Sequence, residues 1–127
     1  MGIESLYTLS DLCVHEDDFN VTVSIDPNHS IFDGHFPGQP IVPGVILIRM
    51  IGELAKGIAG QEVQLETGSN MKFLNVIDPQ KTSRLSIEGS VKYQDNDRLS
   101  VTAVVSAEDI HFFKFKGVFT IFVSKDK

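Results

Sequence analysis

From Val45 to Ala59 the chain reads as a helix: no proline interrupts it, no β-branched run follows Val45 and Ile46, and Gly60 offers a C-terminal stop. Fifteen residues at 1.5 Å each give a length of about 22 Å. Val45, Ile46, Leu47, Ile48, Met50, Ile51, Leu54 and Ile58 cover most of its circumference, while Arg49, Glu53 and Lys56 form one narrow stripe at i, i+4 and i+7. A helix that is apolar around most of its circumference has to be enclosed. This segment therefore demands a wall of other elements around it.

The rest of the chain supplies strands. Phe19, Val21, Val23 and Ile25 alternate with Asn20, Thr22, Ser24 and Asp26, the pattern of a strand with one wet face. Leu85, Ile87, Val91 and Tyr93 repeat the alternation, Gln94-Asp95-Asn96-Asp97 makes a hairpin turn, and Leu99, Val101, Ala103 and Val105 resume it. Ala107-Glu108-Asp109 marks another turn. From His111 to Val123 apolar residues occupy both faces, Phe113, Phe115, Phe119 and Ile121 on one and Phe112, Val118 and Phe122 on the other, so this strand is expected to be central or covered. Residues Ile3 to Leu12 are assigned a short helix. The expected class is α+β, an antiparallel sheet wrapped around one long central helix, with residues 1–127 forming a single domain.

Composition narrows the function. A charge of −6 with no Lys/Arg cluster offers nucleic acid no electrostatic footprint. The apolar stretch from Ile41 to Leu54 is broken by Pro43 and Arg49, short of the ~20 residues that span a bilayer, and the N-terminus lacks the order of a signal peptide. A cytoplasmic protein that binds neither nucleic acid nor membrane is expected. Cys13 stands alone and is read as a half-buried structural thiol. A chain of this size builds one core, so a large active site is expected to need a partner subunit.

The chemistry concentrates in Gly34-His35-Phe36-Pro37-Gly38-Gln39-Pro40-Ile41-Val42-Pro43-Gly44-Val45. Its prolines stiffen the loop and its glycines let the backbone approach a ligand. His35 can act as a base. The unpaired N–H groups where the helix begins, around Gly44 and Val45, can grip a developing oxyanion. Gly44 also removes a Cβ that would crowd an incoming carbonyl. A base and an oxyanion grip are the two parts needed to remove a proton α to a thioester.

That run resembles the signature of the β-hydroxyacyl-acyl carrier protein dehydratases of fatty acid synthesis. His-Phe-Pro-Gly, then Val-Pro-Gly-Val opening a helix, is a specific pattern. The resemblance extends more weakly through the helix into Met71-Lys72-Phe73-Leu74-Asn75-Val76-Ile77-Asp78-Pro79, similar to the family's strand after the helix. It implies the hotdog fold, a dimer with two active sites at its interface, and conversion of a (3R)-3-hydroxyacyl group on acyl carrier protein, or on coenzyme A, to the trans-2-enoyl form. By the same resemblance His35 is the catalytic histidine and Gly44 the residue whose N–H binds the thioester carbonyl. Phe36 and Val45 are assigned substrate contacts. Proton transfer alone needs no cofactor, and none is expected.

The chain departs from the family where the acid should stand. The family's Glu or Asp falls five residues after the glycine, at Arg49 here, and the usual N-terminal His-Arg-Tyr-Pro-Phe-Leu stretch is missing. Arg holds its protons at any working pH and cannot protonate the leaving hydroxyl. Glu53, one turn further along the stripe, is the candidate replacement, with Arg49 pairing with it or touching substrate. Three alternatives stay open: a structural i, i+4 pair, a dimer-interface salt bridge, or the catalytic carboxyl. Two further functions stay open as well, a catalytically weak subunit binding acyl chains or carrier protein in a heteromer, and an acyl thioesterase. His29, Asp33 and His35 lack metal-ligand spacing, so no metal is expected. Lys114 and Lys116 share a strand face, either a solvated edge or a contact for an acidic carrier.

Overall fold

The structure, a computed structural model, describes residues 5–33, 40–95 and 97–122. Six strands form one antiparallel sheet in the order β1-β2-β4-β5-β6-β3. They are β1 Tyr7–His15, β2 Asp18–Ile25, β3 Glu62–Phe73, β4 Arg84–Asp95, β5 Arg98–Ala107 and β6 Ile110–Phe122. The helix α1, Gly44–Ala59, lies against β3, β5 and β6. It ends as expected at Gly60, whose φ of 70° is the left-handed conformation glycine adopts without strain.

The core sits between α1 and the inner face of the sheet. Phe19, Val21, Val23 and Ile25 of β2 are all buried, as their alternation requires, and so are Leu85, Ile87 and Val91 of β4 and Leu99, Val101, Ala103 and Val105 of β5. The β5–β6 hairpin turns on Glu108 and Asp109, both at positive φ, the two-residue geometry that matches strand twist. On β6 the central position holds: Phe113, Phe115, Phe119 and Ile121 face the core. Phe122, at the end of that strand, is exposed.

Three expectations are corrected. Residues Tyr7–His15 form a strand, not a helix, because β2 offers them an antiparallel ladder from Tyr7↔Ile25 to His15↔Asp18, interrupted by an irregularity between Ser10 and Cys13 where Asp11 takes a φ of 56°. Backbone pairing outweighs the weak local preference. Cys13, on this edge strand, is exposed rather than half-buried. The helix is covered on one side only. Ile46, Leu47, Met50, Ile51, Leu54 and Ala55 are buried, whereas Val45 is 69% exposed and Arg49, Glu53 and Lys56 are open to solvent.

Segment 71–79 enters as strand and leaves it at Phe73. Beyond that point the Leu74 and Asn75 N–H groups both donate to the Phe112 carbonyl, and Asp78 closes a turn by accepting from the backbone of Lys81 and Thr82. Edge strand β3 is tied to its neighbour β6 and, beyond it, to β5 by Glu66, whose carboxylate accepts from the Thr120 hydroxyl at 2.8 Å and from Arg98 Nε at 3.0 Å. The Arg98 guanidinium, with the hydroxyl second, holds that carboxyl below its usual range. Among the described residues no helix is long and apolar enough to cross a membrane.

Candidate active site

Val42 donates its N–H to the Ile77 carbonyl at 2.9 Å, which pins the incoming chain, and Pro43 caps α1 without a side-chain hydrogen bond. A cleft of about 370 Å³ opens beside this terminus, lined by Pro43, Gly44, Val45, Phe73, Asn75 and Val76 among others. Its walls are chiefly apolar. Gly44 and Val45 therefore present the dipole-favoured end of the helix to a hollow suited to an acyl chain.

The space beside Gly44 is already used. A Cβ there would stand 2.6 Å from Phe73 Cε1, and the Phe73 ring stacks on Phe113 with centroids 4.5 Å apart. The missing side chain thus makes room for an aromatic ring that is itself 56% exposed. His35 and Phe36, the other residues assigned to this end of the site, lie outside the described residues.

Further along α1, Arg49 Nε stands 3.4 Å from Glu53 Oε2, the i, i+4 pair the stripe implied. Lys56, next on the stripe, is engaged by Glu62 of β3 at 2.8 Å. A third member joins them from another element, Tyr7 of β1. Its hydroxyl donates to Glu53 Oε1 at 2.7 Å across 46 residues of chain. Tyr7 is 8% exposed. Burial first, then the bond to the carboxylate, push its phenol well above the ordinary range, with Arg49 pulling the other way. The phenol therefore stays protonated and remains a donor at any working pH. Tyr7 stands on the strand that replaces the helix expected over residues 3–12, paired with Ile25, and from there its side chain reaches α1.

Glu53 and Arg49 also line a groove of about 390 Å³ floored by Ile48, Gly52, Val63, Leu65 and Phe119. Carboxylate, guanidinium and apolar floor are thus present together on the uncovered side of the helix. Among the described residues no group of three His, Cys, Asp or Glu is placed to hold a metal ion.

A model of the ApeI-like family, described as ApeI dehydratase, matches residues 12–111. The chain belongs to the ApeI-like dehydratase family. Among curated relatives of this ApeI-like chain, the 3-hydroxyacyl-[acyl-carrier-protein] dehydratase FabZ of Lactiplantibacillus plantarum is 31% identical over 83 residues, 60% of this chain and 56% of that protein. The match thus spans little more than half of that relative. FabZ of Rickettsia rickettsii is 27% identical over 111 residues, 78% of this chain and 71% of that protein.

Among solved structures, the dehydratase heterocomplex ApeI:P from Xenorhabdus doucetiae aligns with a TM-score of 0.65 at 20% identity, covering 84% of this chain and 89% of that one. A hypothetical thioesterase with coenzyme A from Streptococcus pneumoniae TIGR4 aligns at 0.68 with 10% identity, over 98% and 94%. At these identities the likeness establishes the fold, and the ApeI-like chain is a hotdog domain of class α+β.

Proposed function

We propose that the protein is a (3R)-3-hydroxyacyl thioester dehydratase that forms trans-2-enoyl products, acting on acyl groups carried by acyl carrier protein. The observation that carries this reading is the family match, which runs from residue 12 within β1 to residue 111 at the start of β6 and takes in all of α1. His35 removes the C2 proton. The N–H groups of Gly44 and Val45 grip the thioester carbonyl as negative charge builds on it. Glu53 gives its proton to the C3 hydroxyl, which leaves as water while the C2–C3 double bond forms, and Arg49 pairs with the carboxylate that results. Phe36 and Val45 contact the acyl chain.

Gly44 and Glu53 stand nine residues apart on one helix, about 13 Å along its axis. That is several times the spacing between a thioester carbonyl and its C3 hydroxyl. The site we propose therefore takes its carbonyl grip from one protomer and its carboxyl from another, across the uncovered side of α1 in a homodimer or a higher even oligomer. A second reading, a catalytically weak subunit binding acyl chains in a heteromer, is favoured by the Arg49–Glu53 ion pair, which already engages the carboxylate that the dehydration would have to use.

Mass spectrometry of carrier-bound 3-hydroxyacyl substrate decides between them. Wild type is expected to yield the enoyl thioester, with His35→Ala and Glu53→Gln each slower by about 10²–10⁴. Unchanged substrate with measurable binding would establish the second reading, and free acid would indicate a thioesterase.

The carrier has a surface to meet. Lys114 and Lys116 are exposed on the outer face of β6, and Lys72 of β3 lies directly opposite Lys114 in register. Like charges so placed repel, and in a chain of net charge −6 they form a local basic patch. Neutralising Lys114 and Lys116 is expected to raise KM for a carrier-bound substrate several-fold and flatten its salt dependence, leaving the coenzyme A thioester unaffected. Equal KM changes for both substrates would remove the lysines from docking.

A further inference from the structure

We propose that Tyr7 is a positioning residue for Glu53: its hydroxyl occupies Oε1 and commits Oε2 as the oxygen that trades a proton with substrate. This rests on the reading of Glu53 as the catalytic carboxyl. The two oxygens of Glu53 are not equivalent. Oε1 accepts from the Tyr7 hydroxyl at 2.7 Å, while Oε2 faces Arg49 Nε at 3.4 Å. Glu53 is half-exposed on a helix surface, where an unrestrained carboxylate would sample several rotamers. A bond to a buried group on another element removes that freedom.

The anchor itself is held on several sides. Tyr7 pairs with Ile25 in the β1–β2 ladder, the adjacent Leu6 carbonyl accepts from the Asp26 N–H at 2.8 Å, and the Ile25 N–H donates to Ser83 at 2.7 Å. Leu6 is fully buried beside it. The sheet thereby fixes the phenol, and the phenol fixes the carboxylate. Among the described residues, the remaining charged groups on this part of α1 are Arg49, and Lys56 with its partner Glu62 on β3. The rest of β1 presents no other charged group to Glu53 among the described contacts.

Both protonation states of Glu53 can keep this bond. As carboxylate, Oε1 accepts from Tyr7. As the acid, the proton sits on Oε2 and Oε1 still accepts as a carbonyl oxygen. In a dehydration that uses Glu53 as the acid, losing Tyr7's hydroxyl frees the carboxyl to leave its working position.

The test compares Tyr7→Phe, Glu53→Gln and the double variant in the full chain, with rates scaled to folded protein by circular dichroism. Tyr7→Phe is expected to lower kcat by about 10- to 100-fold with little change in KM, from misplacement of the acid. A purely structural tyrosine would lower kcat by the same factor whether residue 53 is Glu or Gln. In the Glu53→Gln background the same substitution adds no further loss. Wild-type kcat in Tyr7→Phe, or an equal further loss from Tyr7→Phe in the Glu53→Gln background, with Glu53→Gln impaired, would overturn the positioning role alone. A fully active Glu53→Gln would instead overturn the carboxyl assignment beneath it.

Discussion

Gly89→Ala is expected to cost about 3 kcal/mol or more, lowering the melting temperature by about 10 °C, or to prevent folding altogether. A Cβ built on Gly89 would lie 1.8 Å from the Thr102 carbonyl oxygen and 2.8 Å from Ala103 Cα. Both are backbone atoms of the neighbouring strand, which have no rotamer to escape into. The position is set by the core layer it belongs to. Phe19, Gly89, Ala103 and Phe115 lie side by side across β2, β4, β5 and β6. Two large rings flank two of the smallest residues, and β4 closes on β5 in the gap. Gly57→Ala supplies the contrast: nothing lies within 4 Å of the added carbon on this exposed helical surface, so a gain of up to about 1 kcal/mol is expected. Thermal melts of the two variants check both signs. A Gly89→Ala protein that melts with wild type would mean the β4–β5 approach relaxes freely.

How much of this was legible depended on how local the determinant was. Phe19, Val21, Val23 and Ile25 announce their strand because one face of β2 is wet and the other is dry. The Arg49–Glu53 pair was readable because i, i+4 neighbours meet on any helix. Strand β1 was not readable. Of its residues only Tyr7 is buried, and Asp11 breaks its alternation at positive φ. Edge strand β3 alternates Val63, Leu65, Met71 and Phe73 with Glu62, Gln64, Glu66 and Lys72, but the polar run Thr67-Gly68-Ser69-Asn70 interrupts the pattern, and the ladder with β6 is what joins the two halves into one strand. The Tyr7–Glu53 bond joins residues 46 apart and depends on both a strand and a helix being in place. The dehydratase signature around residues 34–45 identified the family, while the aromatic filling the space beside Gly44 emerges only once Phe73 is brought back by β3.

Gly44→Ala is expected to separate stability from activity. The added methyl would meet Phe73 Cε1 at 2.6 Å and Cζ at 2.8 Å, atoms at the far end of a side chain that is 56% exposed and can swing outward. Moving that ring loosens its stacking on Phe113, a loss of about 1 kcal/mol. Alanine in the first turn returns a similar amount through lower conformational entropy in the unfolded chain. The melting temperature should therefore change by only a few degrees. The cleft beside the helix start has no such compensation. In the site proposed above, methyl and displaced ring both enter the cleft through which a thioester carbonyl would reach the Gly44 and Val45 N–H groups. Weakening one donor of an oxyanion grip costs about 10²–10³ in rate, and that loss in kcat/KM is expected here with the fold intact. Steady-state kinetics beside a thermal melt measure the two quantities on one sample. Undiminished kcat/KM would show that glycine at this position serves Phe73 packing alone and that the carbonyl is gripped elsewhere.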